Sequence, residues 1–157
     1  MIKPIITDIR ELHKPCLAVE KGENLKDLIQ DLKDTLEASG GLGISANQIG
    51  VQKKVSYIKI PKEFNKLTKK FEFSDKVLMN IKIIDKQNPV MFKNEGCTSF
   101  KGIQVNTRRY IYIVASFMNE NFEEQTAMLQ DIESIVIQHE HGHQNSQTLF
   151  EHKWKAR

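Results

Sequence analysis

The sequence predicts a single-domain α+β fold, with antiparallel or mixed sheets packed around a C-terminal helix that carries an HExxH motif. Three observations support this. Two amphipathic helical stretches bracket a middle region patterned as strands, no repeat or low-complexity linker divides the 157 residues, and that length suits one core. The whole of 1–157 is therefore expected to be one catalytic-type domain.

The first helix is expected over Leu25 to Ala38. Leu25, Leu28, Ile29, Leu32 and Leu36 recur at spacings of three and four, and Gly40-Gly41 closes the run. Val55 to Ile60 reads as a strand ended by Pro61, Lys62 to Asp75 as a charged loop, and Val77 to Asp85 as a second strand. Tyr110 to Met118 is apolar and rich in β-branched and aromatic residues. Asn119-Glu120-Asn121 turns it into a short strand over Phe122 to Leu129. The last helix is expected over Asp131 to His143, with Asp131 as N-cap and Ile132, Ile135, Val136 and His139 along one stripe.

A composition of 39% hydrophobic and 27% charged residues is that of an ordinary soluble globular chain. No apolar run approaches the ~20 residues of a membrane span, and Lys3 and Asp8 interrupt any signal-peptide core. A cytoplasmic protein with no membrane association is expected. The net charge of +3 comes from 19 scattered lysines against 4 arginines, which suits a solvated surface and not a nucleic-acid partner. With two cysteines, a disulfide is not expected. Cys16 reads as a small buried residue, whereas Cys97 lies in Glu95-Gly96-Cys97-Thr98-Ser99, a less ordinary setting.

His139-Glu140-His141-Gly142-His143 places two imidazoles one helical turn apart on one face. Both could hold one metal ion, with Glu140 beside a water on that ion, while His141 is rotated away by about 200°. The third ligand cannot follow the known downstream patterns. Gly and His are required at offsets of three and six, where Ser146 and Leu149 stand, and the chain ends fourteen residues past His143. Glu151 and His152 lie too near the helix, so the ligand is expected upstream, where Cys97 is the thiolate candidate. A Cys-His-His set leaves a fourth position open, the mark of a catalytic site. The glycine-rich run Gly41 to Gly50 lacks the Gly-Lys-Ser/Thr of a phosphate loop. Its small residues allow close backbone approach to a ligand, and Gln48 offers a side-chain donor.

In this order, the three segments resemble the peptide deformylase family, whose pattern is GxGxAAxQxG, EGCxS and HExxH preceded by Gln. Gly41 to Gly50 matches with Ser45 for the first Ala, followed by Glu95 to Ser99 and Gln138 to His143; Leu149-Phe150 resembles the trailing Leu-Phe. The resemblance implies hydrolysis of the formyl group from N-formylmethionyl nascent chains, with the ribosome as a candidate partner. The compartment would be the cytoplasm, or the equivalent translation compartment of an organelle or infected cell. It implies one divalent ion, Fe²⁺ in the native enzyme with Zn²⁺ or Ni²⁺ able to replace it, on Cys97, His139 and His143. Glu140 would be the general acid/base, and Gln48 and the Thr98 backbone N–H would meet the formyl oxygen. Leu42 and Gly43 would pair with the peptide backbone, and Ile135 and Val136, nearest His139 on the stripe, would wall a methionine pocket.

The sequence also departs from the family. Gly142 replaces the Asp of HExDH, Thr98 and Lys101 replace a common Leu and Pro, and a short form without the C-terminal helical extension is expected. Two rival classes follow from the motif alone: an HExxH endopeptidase, and a catalytically silent binding module. The Cys ligand stands against the first and the complete set of catalytic groups against the second.

Overall fold

The computed structural model describes residues 1–156. A short helix α1 (Ile9–Leu12) precedes α2 (Lys26–Ser39), strand β1 (Gly43–Ser45) and a 3₁₀ turn (Ala46–Ile49). Then follow β2 (Val55–Asn65), β3 (Lys70–Glu95), β4 (Val105–Met118), β5 (Glu124–Gln130), α3 (Asp131–Gln144) and a second 3₁₀ turn (Leu149–His152). The strands form one five-stranded sheet in the order β1-β2-β3-β4-β5, antiparallel throughout. The expected α+β class is what the structure has, with a wholly antiparallel sheet.

Strand alternation sends neighbouring residues to opposite faces, and the core divides accordingly. Val55, Tyr57, Val77 and Met79 pack with Ile29, Leu32 and Leu36 of α2. Ile58, Leu78, Ile113, Ala115 and Phe117 pack with Val136 and Ile137 of α3. The two long helices thus cover opposite faces, and the HExxH helix has its own side of the sheet. Gly40 ends α2 in the left-handed conformation (φ 74°), its N–H bonded to the Leu36 carbonyl at 3.0 Å.

Several local expectations are corrected. Pro61 does not end β2. The strand β1 stops opposite Ile58, so β2 beyond it is an edge strand, where a missing N–H is tolerated. Of the stretch expected to be a loop, residues 70–75 belong to β3, and Phe64 and Phe71 pair across the hairpin with ring centroids 5.2 Å apart. Asp131 is not the N-cap: it turns the corner from β5 with φ 56°, and Gln130, in extended conformation, takes the cap position. Cys16 is half-buried rather than buried.

The β3 strand is longer than expected and carries three register shifts against β4, each a place where the strand bends. The last lies between Phe92 and Glu95, where Asn94 adopts φ 59°, a conformation Asn tolerates. It redirects the chain into the turn that carries Cys97, beneath α3.

Candidate metal centre and catalytic cleft

Helix α3 puts His139 and His143 on one face, with their Nε2 atoms 3.2 Å apart. The Cys97 Sγ lies 3.5 Å from His143 Nε2, and the three donor atoms all fall within 4.8 Å of one another. A tetrahedral ion with bonds of about 2.0–2.1 Å to nitrogen and about 2.3 Å to sulfur has N···N and N···S edges of about 3.3 and 3.6 Å. The observed 3.2 and 3.5 Å fit such an ion closely. His143 is fully buried, and burial followed by the proximity of His139 pushes its pKa well below the ordinary imidazole value, which leaves it neutral and able to ligate. Burial alone would also lower His139, but hydrogen bonds to Cys97 and Glu95 outweigh it and raise that pKa, so a cation bound there would displace the imidazole proton. Among the described residues, this is the one cluster of three donors with a metal-binding spacing. Glu151 and His152 do not join it. Glu151 is bonded to Thr148 and His13, and His152 to Gln147.

Behind the ligands sits a group that sequence reasoning quoted only as part of a motif. Glu95 is buried and accepts from Arg109 at 2.7 and 2.6 Å, from Thr107 at 2.9 Å, and holds His139 Nδ1 at 2.9 Å. Burial would raise its pKa, but the Arg109 guanidinium and then His139 overcome this and keep the carboxyl well below the usual range. A ligating imidazole held from behind by a carboxylate has its tautomer and orientation fixed. Arg109 was missed altogether. Its signal was strand phase, because it alternates with Thr107, Ile113, Ala115 and Phe117 on the buried side of β4, and a buried Arg needs an anionic partner.

Residues from Gly43 to Gln48 complete the site. Ser45 Oγ donates to Glu140 Oε1 at 3.0 Å, and Asn47 donates to the His143 carbonyl at 3.0 Å. A Cβ on Gly43 would lie 2.5 Å from Glu140 Oε2, so any side chain there would displace the Glu140 carboxylate. Glu140 is buried, and burial, tempered by His139, raises its pKa. The Gln48 carbonyl accepts the Ser45 N–H at 2.9 Å, which turns the amide nitrogen toward Thr98 Oγ1 (3.0 Å), Ser99 Oγ (3.0 Å) and Cys97 Sγ (3.5 Å). Gln138 anchors α3 to β4, accepting the Tyr110 N–H at 3.0 Å and donating to its carbonyl at 2.8 Å.

A cleft of about 410 Å³ opens over these groups, and Leu42, Gly43, Thr98, Ile135, Val136 and Glu140 are among its walls. Every site residue expected from the sequence except the fully buried Gln48 and His143 faces it or carries a donor into it. The Leu42 carbonyl accepts the Lys59 N–H at 2.9 Å; by ladder alternation it is Gly43 whose backbone groups face away from β2, toward the free edge. Ile132, on the same stripe as His139, also lines the cleft and is 38% exposed.

Residues 2–156 match the family model described as polypeptide deformylase. The chain is similar to the peptide deformylase of Aquifex aeolicus, at 33% identity over 162 residues, covering 100% of this chain and 92% of that protein. With the peptide deformylase of Karelsulcia muelleri the identity is 34% over 146 residues, covering 91% and 74%. Among solved structures it resembles the peptide deformylase of Ehrlichia chaffeensis in complex with actinonin, with a TM-score of 0.85, 28% identity, and 98% and 90% of the two chains covered. The enzyme of the Vibrio parahaemolyticus bacteriophage VP16T, also in complex with actinonin, gives 0.80 and 27%, with 94% and 99% covered.

Proposed function

The chain belongs to the peptide deformylase family, metal-dependent hydrolases that remove the N-formyl group from nascent peptides, and on that premise we propose the roles of its individual residues. Cys97, His139 and His143 hold the ion, Glu140 is the general acid/base, and Gln48 and the Thr98 backbone N–H receive the formyl oxygen. The observation that carries this reading is the convergence of one cysteine sulfur and two imidazoles, with both spacings to His143 at tetrahedral edge lengths, beside a buried glutamate. A divalent ion held there supplies Lewis-acid chemistry that makes water nucleophilic near neutral pH.

The chain's own residues do the rest. Glu140 Oε1 is occupied by the Ser45 hydroxyl, so Oε2, in the space Gly43 leaves open, is the oxygen free to take a proton from the attacking water. The water oxygen joins the formyl carbon, the C–N bond breaks, and Glu140 returns the proton to the leaving amine, giving formate and a free peptide N-terminus. Burial raises the Glu140 pKa toward the working pH, which suits a group that must both accept and release a proton. The outward edge of Gly43 pairs with the peptide backbone, Leu42 contacts it with its side chain, and Ile135 and Val136 wall the methionine pocket.

Fe²⁺ is the native ion in this reading, with Zn²⁺ or Ni²⁺ able to substitute, since a thiolate with two imidazoles suits all three. Nascent chains imply the ribosome as partner and the cytoplasm, or an equivalent translation compartment, as location. No helix among the described residues is long and apolar enough to cross a membrane. The test is formate release from a formyl-Met peptide by protein loaded anaerobically with each ion in turn. Iron-loaded protein should be active and decay in air, while the nickel form persists. Cleavage within a blocked peptide, without formate, would place the chain among endopeptidases instead.

A further inference from the structure

The Thr98 side chain stands out among the groups around the cleft because its own proton is uncommitted. The Gln48 amide nitrogen has two hydrogens, and the Thr98 and Ser99 hydroxyls, each at 3.0 Å, can accept them both. A hydroxyl that accepts still has one proton to give. Ser99 is buried at 2% exposure, whereas Thr98 lines the cleft next to Cys97 and donates to no group among the described residues. The Thr98 γ-methyl lies against Gly41, where an added Cβ would meet it at 2.8 Å. Thr98 lines the cleft and its oxygen accepts from Gln48, so its hydroxyl proton can be turned to a group bound in the cleft.

We infer that the Thr98 hydroxyl is a catalytic hydrogen-bond donor to the substrate's formyl oxygen, beyond the part played by its backbone N–H. Three donors would then be in series, the Ser45 N–H to Gln48, Gln48 to Thr98, and Thr98 to the oxygen, while the other Gln48 hydrogen leaves Ser99 for the oxygen when substrate binds. Each accepted bond polarises the next donor, so the last one strengthens as negative charge develops on the formyl oxygen. This inference rests on the deformylase reading. It is specific to this chain, because Thr98 stands where a leucine, without a donor, is common. The alternative is that the hydroxyl merely occupies a Gln48 hydrogen that substrate must reclaim.

Thr98→Val removes the hydroxyl and keeps the shape, while Thr98→Ser keeps the hydroxyl and removes the methyl. On a formyl-Met peptide, kcat should fall about tenfold or more in Thr98→Val, with KM within about twofold and metal content unchanged. Thr98→Ser should retain the rate within about threefold. In a Glu140→Ala background, where the peptide binds without turnover, adding Thr98→Val should weaken binding far less than it lowers kcat. A Thr98→Val enzyme as fast as the parent, or faster, would show that the hydroxyl competes for Gln48 and overturn the inference. Equal losses in Val and Ser would do the same. If Thr98→Val fails to fold, Thr98→Ala against Thr98→Ser carries the same comparison. Formate release by the parent protein, measured alongside, separates failure of this inference from failure of the deformylase reading.

Discussion

At the scale of single residues, the site depends on a buried charge pair as much as on its ligands. Replacing Glu95 by Gln would keep the shape but leave the Arg109 guanidinium buried without its counter-charge. Breaking a buried pair from one side costs about 3–5 kcal/mol, and loss of the carboxylate behind His139 should weaken metal binding roughly 10–100-fold. Denaturant melts and metal titration would check both. The sign with pH follows from the depressed folded-state pKa of Glu95. Its stabilisation is full above the ordinary carboxylate value and is lost as pH falls, so Glu95→Gln should flatten the acid limb of the stability profile. In the cleft, Ile135→Ala should lower kcat/KM for formyl-Met peptides more than for bulkier first residues, by about 1–3 kcal/mol per lost methylene contact; equal losses would make Ile135 merely structural. The ligands were legible in the sequence because one turn of helix fixes the HExxH geometry. The Glu95–Arg109–His139 network was not, because its members lie 14 and 44 residues apart and only the sheet register brings them together.

At the scale of elements, two glycines near Glu140 make opposite predictions. A Cβ on Gly43 would fall 2.5 Å from the Glu140 carboxylate, whereas at Gly142 its nearest neighbours would be 3.8–3.9 Å away, in ordinary contact. Gly142→Ala should therefore stabilise α3 by about 1 kcal/mol, raise the melting temperature by roughly 2–4 °C, and leave turnover intact. Gly43→Ala should keep the fold and lose most of the activity as Glu140 is displaced. Calorimetry with formate assays on both variants separates packing from chemistry. Helix periodicity made both long helices legible to within a residue or two. The hairpin of β2 and β3 was not, because its charges suggested a loop while Phe64 and Phe71 supplied the cross-strand contact. The start of α3 was misread because Asp131 has the chemistry of a cap but sits at a φ that turns the corner instead.

At the scale of the whole molecule, the sheet is a meander whose consecutive strands each pair with the next, and the site joins its two ends to its middle. The loop at β1 supplies Gly43 and Gln48, the end of β3 supplies Cys97, and α3 supplies the histidines and Glu140. The order helix, strands, helix was enough to predict the fold class. That α2 and α3 take opposite faces was hidden until the strand registers were known. Since the ligands converge only in the folded chain, metal should stabilise it by about 2.7 kcal/mol at a hundredfold excess over Kd. Removal by a chelator should lower the melting temperature by roughly 5–10 °C, and reloading should restore it. A melting temperature indifferent to metal would mean that the ion does not bridge these segments.

The most direct test of the catalytic assignment is formate release and metal content measured together on Glu140→Ala, with Cys97→Ala and Cys16→Ala as controls. Glu140→Ala should hold one equivalent of metal and lose nearly all formate release, Cys97→Ala should lose both, and Cys16→Ala should retain its metal. A Glu140→Ala protein that turns over near the parent rate, or that loses its metal as Cys97→Ala does, would contradict the assignment of Glu140 as the proton carrier beside a Cys-His-His centre.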